Sequence, residues 1–219
     1  MKYLIHACKS RMWYVKCYLI PSMLEQGITE DEIDIYLDEN DDVCLRSCMK
    51  SFMNLPDKGD TWHLQDDVLL SKRFHYFTGT IKFDGGIICG FCSDTDINKN
   101  KTGEVTVDDM WYSFPCIRIP NKIAKECAKW YYSELEKGAT DIKFFDRINK
   151  HDDLIFRAYV TYYCPENTKV LLVTPNLVNH VDYLLGGTTV NYQRKENKVL
   201  SAYWNELREL KELEKVLKQ

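Results

Sequence analysis

Thr61-Trp62-His63-Leu64-Gln65-Asp66-Asp67-Val68 decides how this chain is read. Its apolar first half suits a buried strand, and that strand runs directly into two adjacent carboxylates. Toward the amino terminus, Tyr3-Leu4-Ile5-His6-Ala7 and Ile33-Asp34-Ile35-Tyr36-Leu37 read as two more strands. Residues 12–26 between them read as a helix, with Pro21 as a kink or break and Gly27 as its stop. Residues 43–53 form a second helix with Leu45, Cys48, Met49 and Phe52 on one face, and Pro56, Gly59 and Asp60 break it. This β-α-β-α-β opening predicts an α/β fold, with a mixed, mostly parallel sheet between helices. Ligands of such sheets collect beyond the carboxyl ends of the strands. Residues 7–12, 38–42 and 65–67 are therefore expected to converge on one crevice.

The second half is less regular. A strand is expected over 86–91, a polar loop over 93–109 and an extended stretch over 110–119. Pro120 suits the first turn of a helix running to about 137, capped by Gly138. A helix from 152 to 162 precedes a strand at 169–173. Residues 197–218 place Leu200, Trp204, Leu207, Leu210, Leu213 and Leu217 on one helical stripe. That stripe spans only about three heptads, which favours packing on its own domain over a coiled coil. The expected organisation is one domain, 1–195, followed by a carboxyl-terminal amphipathic helix, 196–219.

The chain has 219 residues, with 29 Lys and Arg against 33 Asp and Glu, so its formal charge is −4. A hydrophobic share of 45% with 28% charged residues fits a globular chain and not a disordered one. The acidic balance excludes a wholly basic nucleic-acid coat, though not a local basic patch. No apolar run reaches the ~18–20 residues of a membrane-spanning helix. The opening is a poor signal peptide, because His6, Lys9 and Arg11 interrupt its apolar piece. Nine scattered cysteines, an odd number, are expected to be thiols in a reducing cytoplasm. Cys89-Gly-Phe-Cys92 has no second pair at zinc-ligand spacing and reads as part of a buried strand. Five Trp and fourteen Tyr are many for this length. Trp13-Tyr14 and Trp130-Tyr131-Tyr132 fall in helices and are expected to pack.

Asp66 and Asp67 at a strand's carboxyl end suit Mg2+ or Mn2+, which are commonly held by one or two carboxylates plus substrate phosphates. The plainer reading is an acidic turn or helix start. Thr174-Pro175-Asn176-Leu177-Val178-Asn179-His180 follows another strand, and His180 could complete a metal sphere or serve as a loop histidine. His151-Asp152-Asp153-Leu154 opens a helix, with Asp152 a natural N-cap. One of that pair could act as a general base on an acceptor hydroxyl.

In this order the opening strand with Arg11, the Gln65-Asp66-Asp67 triplet, the Asp152-Asp153 pair and the run 175–180 resemble a glycosyltransferase of the GT-A type. The likeness is to small bacteriophage-encoded glycosyltransferases and, more distantly, to the family-25 lipopolysaccharide-type enzymes, and it covers residues 1–195. It implies a nucleotide-diphosphate sugar donor, commonly a UDP-sugar, and a divalent Mn2+ or Mg2+. Gln65 departs from the family's pattern by filling the first acidic place. Asp67 then becomes the direct ligand, with Asp66 behind it or on the ribose. His180 matches the late histidine of the metal sphere, and Asp153, or failing it Asp152, matches the catalytic base of inverting members. By the same likeness Ala7, Arg11, Asp38 and Gln65 lie near the nucleotide and Arg46 faces the diphosphate. Trp111 and Tyr112, between the metal loop and the base, would meet the acceptor, since aromatic faces bind sugars and extruded bases.

Two other classes compete. A nucleotidyltransferase also needs paired carboxylates, but Cys8-Lys9-Ser10-Arg11 lacks the glycines that cradle a triphosphate. A catalytically inactive nucleotide or nucleic-acid binder would tolerate Gln65, but gives Asp67, Asp153 and His180 no task. The phage likeness implies the cytoplasm of an infected bacterium and makes a hydroxylated base in DNA the favoured acceptor, with lipopolysaccharide, another glycan or a protein hydroxyl as the alternatives. Phosphate contacts would then come from local groups such as Lys99, Lys101, Arg118, Lys122 and Arg194.

Overall fold

The computed structural model describes residues 1–39, 44–92, 102–105, 114–136, 151–164, 168–174, 176–181 and 185. The carboxyl-terminal stripe and the Trp111-Tyr112 pair lie outside these residues. Nine strands are described: β1 (Lys2–Cys8), β2 (Ile33–Asp38), β3 (Asp60–Gln65), β4 (Val68–Leu70), β5 (Ile87–Cys89), β6 (Gly103–Val105), β7 (Cys116–Pro120), β8 (Val170–Leu172) and β9 (Val178–His180). The helices are α1 (12–25), α2 (Cys44–Met53), α3 (Phe74–Thr80), α4 (Asn121–Glu136) and α5 (Asp152–Tyr163).

Seven strands form one sheet in the order β2-β1-β3-β7-β5-β8-β6, and β4 and β9 form a separate pair. β1 runs parallel to β2 and β3, and β5 runs parallel to β8. β7 is antiparallel to both its neighbours, and β6 is antiparallel to β8. Five of the seven strands thus share one direction. This agrees with the α/β class and the mostly parallel sheet expected from the sequence.

Side-chain alternation along the strands feeds two cores, one on each face. Tyr3, Ile5 and Ala7 of β1, with Trp62 and Leu64 of β3, pack against Tyr14, Val15, Leu19 and Met23 of α1 and Phe74 of α3. Leu4, Ile117 and Ile119 face the other way, toward Leu45, Met49 and Phe52 of α2, Ala124 and Cys127 of α4, and Phe156 of α5. Each such fully buried side chain contributes roughly 1.5–3 kcal/mol. Cys89 and Cys92 are buried apolar members of that second core, as their flanks suggested.

Several elements depart from the sequence reading. Pro21 does not break α1: it sits in the first turn of Ile20–Glu25, directly after a π-helical stretch, Val15–Leu19. The wider turn absorbs the missing N–H. Gly27, at φ 90°, ends the segment as expected. Trp13 is 45% exposed while Tyr14 is fully buried, so only one of these two rings packs in the core. Pro120 ends β7 and the helix starts at Asn121, because Pro120 pairs with Asp60 in the sheet. β4, β6 and β9 are three-residue strands in stretches read as acidic turn, polar loop and proline-fixed turn.

Candidate functional site

β1, β2 and β3 end together at Cys8, Asp38 and Gln65. After β3 the chain turns at Asp66 and Asp67 into β4, and after β1 a short 3-10 turn, Lys9–Arg11, leads into α1. The turn is short enough to lay Arg11 across the sheet end. Arg11 Nη2 lies 2.8 Å from Asp66 Oδ1, and Nη1 lies 2.7 Å from Asp67 Oδ2. The Cys8 backbone N–H donates to Asp66 Oδ2 at 2.7 Å. Residues 8, 11, 66 and 67 therefore meet in one crevice, as the topology required.

β9 brings in the fourth group. It pairs antiparallel with β4, setting His180 opposite Val68, and the Val181 N–H donates to the Asp67 carbonyl at 2.8 Å. His180 Nε2 is thereby held 3.1 Å from Asp67 Oδ1. That oxygen is buried, and the imidazole is its close partner among the described residues. A carboxylate oxygen and an imidazole nitrogen about 3 Å apart match neighbouring ligands of one small divalent cation bound at ~2.1 Å. The carboxylate suits Mn2+ or Mg2+ by type, whereas an imidazole is more usual on later first-row metals. Among the described residues no three His, Cys, Asp or Glu side chains gather at ligand spacing. The protein's share would be Asp67 and His180, with phosphates and water completing the sphere, the usual habit of Mg2+-like ions.

The electrostatics separate the two aspartates. Burial opposes ionisation of Asp67, yet the charge and hydrogen bond of His180, and then the charge of Arg11, overcome it and hold the carboxyl below its usual range. Asp66 moves up, through burial and then the charge of Asp67, with Arg11 opposing. Burial also works against the Arg11 charge, but Asp67 and Asp66 outweigh it and keep the guanidinium firmly protonated.

The second acidic pair opens α5. His151 is the N-cap in extended conformation, so Asp152 stands in the first turn and not at the cap position its sequence suggested. Asp152 Oδ1 accepts the Asp153 N–H, and Asp153 Oδ1 accepts the Leu154 N–H, both at 2.9 Å. The Cys44 thiol, at the first turn of α2, donates to Asp152 Oδ2 at 3.2 Å. Burial, then the charge of Asp152, raises Asp153 to about 7. Asp152 is raised as well, chiefly by burial.

Cys44 links the two pairs. Desolvation and then Asp152 hold its thiol well above the usual range, and it also feels the charges of Asp67 and Asp66. Both acidic pairs thus lie within electrostatic range of the amino end of α2. Sequence reading passed over Cys44. Its place in the first turn of the helix after β2 was the available signal, since that turn must start from the sheet end carrying Asp38.

The remaining expected donor residues are spread along β1, β2, β3 and α2. Asp38 is buried at the end of β2, Ala7 is buried one residue before the end of β1, and Gln65 is half-buried with its N–H on the Pro115 carbonyl. Arg46 is exposed on α2 and its guanidinium engages the Tyr131 hydroxyl on α4. A cleft of about 590 Å3, bordered by Lys2, Asp34, Asp60 and Asn121, lies at the opposite, amino end of β1–β3 and holds none of the acidic residues above. No protein-family model matches the chain, and no curated protein matches it.

Proposed function

We propose that this chain is a glycosyltransferase of the GT-A type, moving a sugar from a nucleotide-diphosphate donor, a UDP-sugar by the sequence likeness, to an acceptor hydroxyl. One observation carries the reading: Asp67, held ionised, and Asp153, pushed toward the neutral form, belong to two acidic pairs that Cys44 relates, hydrogen-bonded to Asp152 and within electrostatic range of Asp66 and Asp67. The class needs two functions, a cation holder for the leaving group and a base for the acceptor.

Asp67 and His180 would hold Mn2+ or Mg2+, whose charge supplies stabilisation to the departing diphosphate. Asp66 fixes the turn through the Cys8 N–H, and Arg11 adds a guanidinium matched to phosphate oxygens. Asp153 takes the acceptor's hydroxyl proton onto its carboxylate as the new C–O bond forms and the bond to the diphosphate breaks. A pKa of about 7 suits it to that task near neutral pH. Asp152 raises that value through its own charge, and Cys44 orients Asp152. By the sequence likeness Trp111 and Tyr112 would meet the acceptor, and a hydroxylated base in phage DNA is the acceptor this likeness favours.

The test is donor hydrolysis and transfer with a panel of nucleotide sugars, followed by release of the nucleoside diphosphate. Turnover of one donor that excess chelator abolishes supports the reading. Undiminished turnover in chelator removes the metal role. Pyrophosphate release from a nucleoside triphosphate would move the chain to the nucleotidyltransferases, and binding without turnover would make it a binding module.

A further inference from the structure

We propose that Arg11 is an exchangeable resident cation, which closes the Asp66–Asp67 pair in the free protein and moves to the diphosphate when a divalent ion and donor arrive. This rests on reading the crevice as a metal-assisted donor site, and adds to that reading a device for making metal and nucleotide binding depend on each other.

The four carboxylate oxygens show why. Asp66 Oδ2 is taken by the Cys8 N–H, Asp66 Oδ1 by Arg11 Nη2, and Asp67 Oδ2 by Arg11 Nη1. The fourth, Asp67 Oδ1, has no guanidinium or backbone donor among the described residues and faces the exchangeable imidazole of His180 at 3.1 Å. A divalent ion arriving there meets a fixed positive charge across the same carboxylate, in a place where Asp66 and Asp67 are 1% and 3% exposed. Like charges compete strongly where water is excluded. A metal drawing on Asp67 therefore weakens the hold of Asp67 on Arg11.

Arg11 also has somewhere to go. Its fork spans two different residues, and the same fork fits a phosphate in bidentate fashion. Its side chain keeps 23% of its surface open to solvent, and its Nε is buried with no partner among the described residues, a donor still to be satisfied. The turn that carries it, Lys9–Arg11, has no side-chain cap to pin it. Once a diphosphate offers oxygens, the exchange frees Asp67 for the ion, so each ligand raises the affinity of the other by the same factor.

The experiment measures Mn2+ affinity by electron paramagnetic resonance on the full chain, with and without uridine diphosphate. It uses wild type, Arg11→Gln, Arg11→Lys and Asp67→Ala, each checked for a cooperative melt. Without nucleotide, Arg11→Gln should bind Mn2+ about tenfold more tightly than wild type, because the competing charge is gone. Uridine diphosphate should tighten Mn2+ binding to wild type by about tenfold and to Arg11→Gln by less than about threefold. Arg11→Lys, which can hold one carboxylate but not both, should fall between, and it decides the matter if Arg11→Gln does not fold. Mn2+ affinity in the Arg11 variants equal to or weaker than wild type, with Asp67→Ala still losing the ion, overturns the exchange and leaves the metal site standing. Failure of every form to bind Mn2+ overturns both.

Discussion

Two of the four Asp-Asp dipeptides in the chain, Asp66-Asp67 and Asp152-Asp153, lie among the described residues, and they are built for different work. Asp66-Asp67 sits in a turn between strands, with a guanidinium on both residues and an imidazole beside the second. Asp152-Asp153 sits in the first turn of a helix, held by backbone amides and a thiol, with no bidentate guanidinium among the described residues. Cations keep Asp67 ionised, whereas burial and a like-charged neighbour push Asp153 toward the neutral form. Two carboxylate pairs with diverging environments are the pattern by which one site can hold a cation and move a proton.

The sharpest way to break this comparison is to remove one member of each pair. Asp67→Ala should abolish transfer, a loss of at least ~10^3-fold, together with metal-dependent donor binding. Asp153→Asn should cut transfer ~10^2–10^4-fold while donor affinity, measured by calorimetry, stays within about twofold. An Asp153→Asn variant with full transfer would end its assignment as base.

The pH dependence sharpens it further. A base must be ionised, so the transfer rate should rise with pH through about 7 and level above it. Stability runs the other way. The carboxyl rises from 3.8 to about 7 on folding, so its contribution is complete below about pH 4 and is lost as pH rises through about 7. Asp152→Asn removes the neighbouring charge and should move the rate midpoint down by about one unit. An unmoved midpoint would mean that another group sets it.

A milder change separates the linker from the pairs it links. Cys44→Ala removes the thiol hydrogen bond to Asp152 and should slow transfer by about two- to fivefold, with Mn2+ affinity unchanged. A loss of Mn2+ binding in this variant would show that the two pairs are less independent than their environments indicate.

A third buried pair offers a contrast without a carboxylate. His6 Nε2 and His63 Nδ1 lie 2.9 Å apart on neighbouring strands, and the edge of Phe52 abuts both rings. Burial lowers His6 from 6.5 to about 4 and lowers His63 well below its usual value. Their depressed values give stability that is present above pH 6.5 and lost as pH falls through about 4. Urea denaturation at pH 7 and pH 4 should show wild type losing at least ~3 kcal/mol more than His6→Leu/His63→Leu over that interval. Equal losses would mean that the pair is already charged in the fold.

The fold was legible where the signal was long. β1, β3 and α2 are apolar runs or faces that can be buried in one way only, and with the edge strand β2 beside β1 they place the crevice. What escaped is what three residues cannot announce. β4 and β9 carry no readable alternation, yet their pairing is what brings His180 to Asp67. Val68-Leu69-Leu70 read as the tail of an acidic turn, and α3 behind it was not anticipated. The acidic residues themselves were visible as dipeptides, but their partners were not. Arg11 bridging both carboxylates, the Cys8 amide and Cys44 are products of topology, and no local pattern of residue types reveals them.

The central claim is that Asp67 and His180 hold a divalent ion together with a nucleoside diphosphate. The most direct measurement is a thermal-shift screen of nucleoside diphosphates with and without Mn2+, on wild type and Asp67→Ala. The account predicts a rise in melting temperature for one diphosphate, seen only with Mn2+ and absent in Asp67→Ala. A shift that is as large in chelator, or that survives in Asp67→Ala, would contradict it.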